Sequence, residues 1–357
     1  PDVIAGQGTV AMEMLRQHTG PIEAIFVPVG GGGLIAGVAA YVKYLRPETK
    51  IIGVESDESA CLALAMEKGR RATLPQVGIF ADGVAVAQIG KHTWEICKDH
   101  VDEVITVSVD EICAAIKDIF DDTRAVSEPA GALAVAGLKR YVEREQCTGK
   151  NLIAINSGAN VNFDRLRHVA ERSEIGEKRE LLIAAKIPER PGAFKQFCKT
   201  LGNRNITEFN YRYSDSDAAV VFAGVQIRKN NDGREELLAE LNDALDEVTD
   251  LTDNEVAKSH IRYMVGGHKP DACGDEALFR FEFPERPGAL MKFLNTLGGR
   301  WNISMFHYRN HGAAYGRVLV GMEVPKKERS EVRKYLDELG YTWFEETTNP
   351  AYQLFLG

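Results

Sequence analysis

A duplication constrains this chain more than any other feature. Ile187-Pro-Glu-Arg-Pro-Gly-Ala193 recurs as Phe283-Pro-Glu-Arg-Pro-Gly-Ala289, an offset of 96 residues. Phe197-x-x-Thr200-Leu-Gly202 recurs as Phe293-x-x-Thr296-Leu-Gly298. Ile206-Thr-Glu-Phe-Asn-Tyr-Arg212 recurs as Ile303-Ser-Met-Phe-His-Tyr-Arg309, the offset now 97 after one insertion. Three matched blocks in the same order mark a repeated module. Each copy runs strand, Pro-Gly turn, helix, strand, strand, helix, strand, a βαββαβ pattern. Two copies are too few for a solenoid, so two small domains packed side by side are expected.

The first half obeys another rule. Apolar runs and helical periods alternate, predicting helices over 8–18, 34–45, 60–68, 92–98, 109–123 and 129–144, with strands over 24–29, 51–55, 104–107 and 152–156. Strands alternating with helices imply a parallel sheet covered on both faces. The charged, helix-permissive stretch 164–180 has the character of a connector. The longest uncharged run, 24–42, is long enough to cross a bilayer, but Pro28 and four consecutive glycines interrupt it. It therefore predicts strand, loop and buried helix, with no membrane span. No basic, apolar leader opens the chain at Pro1 and Asp2. A formal net charge of −9 disfavours a phosphate polymer as partner. Six scattered cysteines without a C-x-x-C predict a reducing, cytoplasmic setting and neither zinc knuckle nor disulfide framework.

Two segments suggest chemistry. Gly30-Gly31-Gly32-Gly33 closes an apolar strand and Leu34 opens a helix. Backbone N–H groups of such a loop can converge on a phosphate, helped by the helix terminus. No Lys-Ser or Lys-Thr pair follows, so this is no Walker loop. Gly31-x-Gly33-x-x-Ala36 also fits a relaxed dinucleotide fingerprint, with Glu55 near the place of a ribose-binding acid. An NAD-dependent oxidoreductase is thus the alternative reading. The second segment, Asn156-Ser-Gly-Ala-Asn160, ends a late strand and puts Ser157 at the sheet edge where open α/β folds bind ligands. Glu128-Pro-Ala-Gly-Ala132 starts a helix, and Glu128 is expected to serve as a helix start.

Taken together, Val27-Pro-Val-Gly-Gly-Gly-Gly-Leu34, Val54-Glu55-Ser56, Asp82-Gly-Val-Ala-Val86, Glu128-Pro129, Ser157-Gly-Ala-Asn160 and the duplicated module resemble biosynthetic threonine deaminases (threonine ammonia-lyases) in order and spacing. The resemblance implies an α/β, fold-type II pyridoxal-phosphate enzyme, similar to tryptophan synthase β, followed by two ACT-like regulatory domains. The implied boundaries are 1–163 for the C-terminal portion of the catalytic domain, 164–179 for a connector, and 180–256 and 276–357 for the two ACT-like domains. It implies pyridoxal 5'-phosphate as cofactor, its phosphate on Gly30, Gly31, Gly32, Gly33 and Leu34 and its pyridine nitrogen at Ser157. The implied reaction turns L-threonine into 2-oxobutanoate and ammonia, the first step of isoleucine biosynthesis. Isoleucine would inhibit and valine oppose it, at effector sites involving Tyr211 and Tyr308, in a homotetramer. Arg204 and Arg300 sit at matching places and are expected only to complement helix ends. A non-catalytic amino-acid-binding fragment is the further alternative.

The sequence departs from that pattern twice. The family's Schiff-base lysine lies N-terminal to the glycine loop, and none of the 29 residues before Gly30 is a lysine. The expectation is a C-terminal part of a longer enzyme, inactive alone; Lys43, a helix-face lysine, is a poor substitute. Related racemases and dehydratases can hold a divalent ion at positions matching Glu55, Ser59 and Cys61. A thiol in place of the last carboxylate predicts no metal there. His307 and His311, on a strand and its turn, lack the converging geometry of a metal pair.

Overall fold

The computed structural model describes residues 1–202, 204–212, 218–227, 231–245, 247–264, 273–284, 288–297, 300–309 and 315–356. The chain divides into two units, Pro1–Glu177 and Lys178–Gly357.

The first unit comprises α1 (Asp2–Gln17), β1 (Ala24–Pro28), α2 (Gly33–Leu45), β2 (Lys50–Ser56), α3 (Cys61–Lys68), α4 (Lys91–His100), β3 (Glu103–Val107), α5 (Val109–Thr123), α6 (Pro129–Glu145), β4 (Leu152–Ala154) and α7 (Phe163–Gly176). Its four strands are parallel in the order β3-β2-β1-β4. Every residue of β1 is buried, because helices cover both faces. Ala24 and Phe26 face a core shared with α5 and α6, while Ile25 and Val27 face one shared with α1, α2, α3 and α4. That alternation is the two-residue period of a strand acting on an all-apolar sequence. Successive strands run β1, β2, β3 to one side, whereas β4 joins β1 on the other. The order in which strands are added therefore reverses between β1 and β4, the place where open α/β sheets leave a ligand crevice.

The segment expected as a connector is structured. Phe163–Gly176 forms α7, which packs along α5 and belongs to the first unit. Arg172 pairs with Asp110 at 3.0 Å and Lys117 with Glu174 at 2.9 Å. The charges that look like a solvated linker in sequence are ion-pair partners of α5.

The second unit comprises β5 (Glu180–Pro188), α8 (Ala193–Leu201), β6 (Ile206–Arg212), β7 (Ala218–Gln226), α9 (Asn231–Ala244), β8 (Glu247–Asp250), α10 (Glu255–Ser259), β9 (Glu276–Pro284), α11 (Ala289–Leu297), β10 (Ile303–Arg309), β11 (Tyr315–Glu323), α12 (Arg329–Leu339), β12 (Thr342–Glu345) and α13 (Pro350–Phe355). Both copies of the module are βαββαβ. They do not form separate cores: β6 pairs antiparallel with β10, giving one eight-stranded sheet in the order β12-β9-β11-β10-β6-β7-β5-β8. Phe194, Phe209 and Phe293 all pack tilted or edge-on against Phe306, so the aromatic core is continuous across the two copies.

Each copy also carries a tail that the sequence motifs did not include. Thr252 and Thr347 accept hydrogen bonds from the backbone N–H of Leu182 and Leu278, each at 3.0 Å. Asn254 and Asn349 then cap α10 and α13. The duplication thus extends to a Thr-x-Asn-capped helix in each copy. Among the described residues, no helix is long and apolar enough to cross a membrane.

Candidate active site

The tetraglycine loop leaves β1 and the Ser157 loop leaves β4, so both emerge at the carboxyl edge of adjacent parallel strands on either side of the reversal. A short 3-10 turn, Asp82–Val84, packs between the glycine loop and the start of α6. A Cβ on Gly30 would sit 3.0 Å from the Val84 Cα, and one on Gly83 would sit 2.9 Å from the Ala130 Cβ at the start of α6. Arg165 fixes this turn through Asp82 at 3.0 Å and the Phe80 carbonyl at 2.9 Å.

The glycine loop is held from behind. The Gly31 carbonyl accepts from the Thr93 hydroxyl at 2.8 Å and from the Gly90 N–H at 3.2 Å. The Gly30 carbonyl accepts from the Cys61 thiol at 3.4 Å. Gly32 is left-handed, with φ 84°, and a Cβ there would press to 2.5 Å from the Ile89 side chain, so glycine is required. At Gly31 a Cβ would meet nothing within 4 Å: the loop borders open space. No side chain caps α2, which leaves its first-turn N–H groups available beside that space. These features fit a phosphate group, a dianion that takes backbone donors and the positive end of a helix.

Ser157 lies exposed on the neighbouring loop, and its flanking residues are pinned. The Ser127 hydroxyl donates to Asn156 Oδ1 at 2.8 Å, the Glu128 N–H donates to the Gly158 carbonyl at 3.1 Å, and Glu128 Oε2 accepts the Asn160 N–H at 2.9 Å. Glu128 is at the N-cap position, yet its carboxylate makes no cap hydrogen bond. Its work is to hold the serine loop, not to start the helix. Gly131 and Gly158 permit this approach: a Cβ on Gly131 would stand 2.5 Å from the Gly158 carbonyl oxygen.

Glu55 does not face the crevice. It is fully buried, and its two oxygens accept the N–H groups of Leu62 and Ala63, both at 2.8 Å, at the start of α3. Burial pushes its carboxyl up to about 7, outweighing those backbone bonds, which pull it down. A carboxylate turned into a helix terminus is not presented to a ribose, and the dinucleotide reading loses its acid. Lys43 is paired with Asp102 at 2.8 Å and behaves as a structural lysine. Among the described residues, no three His, Cys, Asp or Glu side chains cluster for a metal. His311 lies outside the described residues.

In the second unit a cleft forms at the Pro191-Gly192 turn, with Phe194, Leu294, Leu297, Trp301 and Ile303 among its walls. Tyr211 reaches it from β6 and donates to Glu189 at 2.7 Å. Asn302 Nδ2 bridges Glu189 at 2.9 Å and Glu323 at 3.0 Å. Burial raises the Glu189 carboxyl, and burial with the neighbouring Glu189 holds the Tyr211 phenol protonated. Tyr308 lies half-buried on β10, facing Phe209 of β6 in register. Pro287 of the second Pro-Gly turn lies outside the described residues. Arg204 pairs with Glu240 at 3.0 Å, and Arg300 pairs with Glu328 and Glu331 and covers the Trp301 ring. Neither arginine is in the cleft wall.

Residues 1–158 match the family model described as pyridoxal-phosphate dependent enzyme, and 171–261 and 271–356 match the C-terminal regulatory domain of threonine dehydratase. The biosynthetic L-threonine dehydratase IlvA of Burkholderia multivorans is 57% identical over 356 residues, all of this chain and 70% of that protein. Its Escherichia coli counterpart is 53% identical over all of this chain and 69% of that protein. The chain belongs to the biosynthetic threonine dehydratase family. It has the fold-type II architecture of pyridoxal-phosphate-dependent lyases, followed by a regulatory region. The processed form of threonine deaminase isoform 2 from Solanum lycopersicum matches 48% of this chain and 49% of its own, with 46% identity and a TM-score of 0.47.

The roles of several residues of the crevice and the cleft are not legible in the sequence. Ser127 and Glu128 act on residues about thirty positions later, and no local pattern encodes that distance. Thr93 and Cys61 come from two other helices. Glu189 was findable: it is the acidic residue of the repeated Pro-Glu-Arg-Pro-Gly block.

Proposed function

We propose that the protein, together with the Schiff-base lysine that its family carries N-terminal to the glycine loop, converts L-threonine to 2-oxobutanoate and ammonia, with pyridoxal 5'-phosphate held between the tetraglycine loop and Ser157, under control by isoleucine and valine. The observation that carries this reading is the emergence of those two loops from the carboxyl ends of the adjacent strands β1 and β4, where the strand order switches, in a chain of this family. When bound, the cofactor supplies an electron sink that makes the α-proton of an amino acid removable. The N–H groups of Gly31, Gly32, Gly33 and Leu34 take the phosphate, and the α2 terminus adds its field. Ser157 offers a neutral hydroxyl to the ring nitrogen, where an aspartate would keep a proton in place. Weaker withdrawal into the ring favours prompt loss of the β-hydroxyl over transamination. Ser157→Asp is expected to raise the transaminated share of product, measured by following 2-oxobutanoate and the aminated cofactor together; an unchanged ratio refutes the assignment.

The regulatory half of the proposal rests on the cleft at Tyr211. Its apolar walls suit a branched aliphatic side chain. Glu189, bonded to the wall residues Tyr211 and Asn302, suits an α-ammonium group. An effector acts only through different affinity for two arrangements of the protein. The six free cysteines fit work in a reducing, cytoplasmic compartment.

A further inference from the structure

The phosphate loop has a rear side that the reading above does not use. In a trans peptide the carbonyl of one residue and the N–H of the next point to opposite sides of the chain. Whatever holds the Gly31 carbonyl therefore aims the Gly32 N–H, and whatever holds the Gly30 carbonyl aims the Gly31 N–H. The first carbonyl is held by the Thr93 hydroxyl at 2.8 Å, from the first turn of α4, and by the Gly90 N–H at 3.2 Å, which no side-chain substitution removes. The second is held by the Cys61 thiol at 3.4 Å, from the first residue of α3.

The Thr93 hydroxyl occupies a slot that only glycines leave open. A Cβ on Gly90 would stand 2.7 Å from Thr93 Oγ1, and one on Gly32 would stand 3.0 Å from it. Its competing acceptor, the Gly90 carbonyl, lies at 3.0 Å, slightly farther than Gly31. Burial, with the Glu55 carboxyl beside it, pushes the Cys61 thiol up to about 12, so it stays an S–H donor at neutral pH, with Glu55 as a competing acceptor to Gly30. Without the Thr93 bond only the longer Gly90 N–H bond holds the peptide plane between Gly31 and Gly32, which has no side chain of its own to restrain it, and glycine is the freest of residues.

Resting on the phosphate reading, we propose that Thr93, with Cys61 as a weaker counterpart, is a positioning residue for the cofactor phosphate: it fixes the Gly31–Gly32 peptide plane so that the Gly32 N–H stays turned to the phosphate. It touches neither substrate nor ring.

The test compares Thr93→Val, which keeps the shape and loses the hydroxyl, with Thr93→Ser, which keeps the hydroxyl. Pyridoxal 5'-phosphate and phosphate-free pyridoxal are titrated into the apoprotein of each, and the bound phosphate is followed by 31P NMR. Loss of one hydrogen bond predicts about five- to tenfold weaker binding of pyridoxal 5'-phosphate to Thr93→Val and a shifted 31P resonance. Thr93→Ser is expected within about twofold of the parent, and pyridoxal is expected to bind all three alike. Cys61→Ala should show a smaller loss that Cys61→Ser restores. Equal losses in Thr93→Val and Thr93→Ser, or an equal loss for pyridoxal, overturn the proposal, because they mark a packing effect. A parent that binds no pyridoxal 5'-phosphate at all sinks the phosphate reading itself, whereas a parent that binds it and a Thr93→Val protein that binds it equally well sink only the role of Thr93.

Discussion

Replacing Gly131 by alanine tests whether α6 and the Ser157 loop are one packed body. In an open helix this change stabilises by about 0.5–1 kcal/mol, because alanine loses less backbone entropy. At Gly131 the new methyl would stand 2.5 Å from the Gly158 carbonyl oxygen, 2.7 Å from Ser127 Oγ and 2.8 Å from Asn156 Oδ1. All three are polar atoms in one hydrogen-bonded cage, so none swings away freely. Relief requires a shift of about half an ångström or more, of the order that costs about 1–3 kcal/mol in packed interiors. Set against the entropic gain of alanine, the net loss is about 1 kcal/mol; for a unit of this size each kcal/mol is worth about 2–4 °C, so the transition falls by about 2–4 °C. The displaced carbonyl is also the acceptor for the Glu128 N–H, so Ser157 moves and affinity for pyridoxal 5'-phosphate falls with stability. Gly6→Ala is the control: it lies in α1, and its new methyl meets nothing within 4 Å. Calorimetry should show the first unit destabilised by one substitution and slightly stabilised by the other. If both raise the transition equally, the cage does not exist as described.

Glu55 makes stability depend on pH. Its carboxyl, ordinarily near 4.5, is pushed up to about 7 by burial, so the folded chain holds a proton there that the unfolded chain releases. The contribution of Glu55 is therefore fully present below pH 4.5 and lost as pH rises through 7, by about 3 kcal/mol in all. Glu55→Gln should flatten that part of a denaturation series between pH 5 and 8; an unaltered slope contradicts the burial argument. In the second unit, Arg262 is buried against Glu208 at 2.7 Å and Glu180 at 3.5 Å, so Arg262→Met strands two carboxylates and is expected to cost about 3–5 kcal/mol or more, with Glu208→Gln restoring only part of it. No loss in the single variant would mean that the pair is solvated. Tyr211→Ala should weaken inhibition by isoleucine with modest loss of activity, and titration curves matching the parent would remove Tyr211 from the effector site.

The sequence carried the fold where local rules act. The glycines after β1, the alternating pattern to Pro129 and the repeated Pro-Gly turns each announce an element, because turn geometry and periodicity are properties of neighbouring residues. What stayed hidden depends on partners distant in the chain. Phe163–Gly176 looks like a linker until Asp110 and Lys117 of α5 meet its charges. The edge pairing of β6 with β10 cannot be told from two separate domains by pattern alone, although the repeated Phe in Phe209 and Phe306 supplies the contact that joins them. Glu128 shows the same limit at the crevice, since its position suggests a helix cap and its carboxylate serves Asn160 instead. Glu55 misled in the other direction: it sits at the right place for a ribose acid and is turned inward by the start of α3.

The central claim is that the glycine loop and Ser157 hold the two ends of one cofactor. Crystals of the protein grown with pyridoxal 5'-phosphate test it most directly. Density for the phosphate at the N–H groups of Gly31 to Leu34, with the ring nitrogen within hydrogen-bond distance of Ser157, is the predicted result. A cofactor whose phosphate lies elsewhere, or whose ring nitrogen faces away from Ser157, contradicts it.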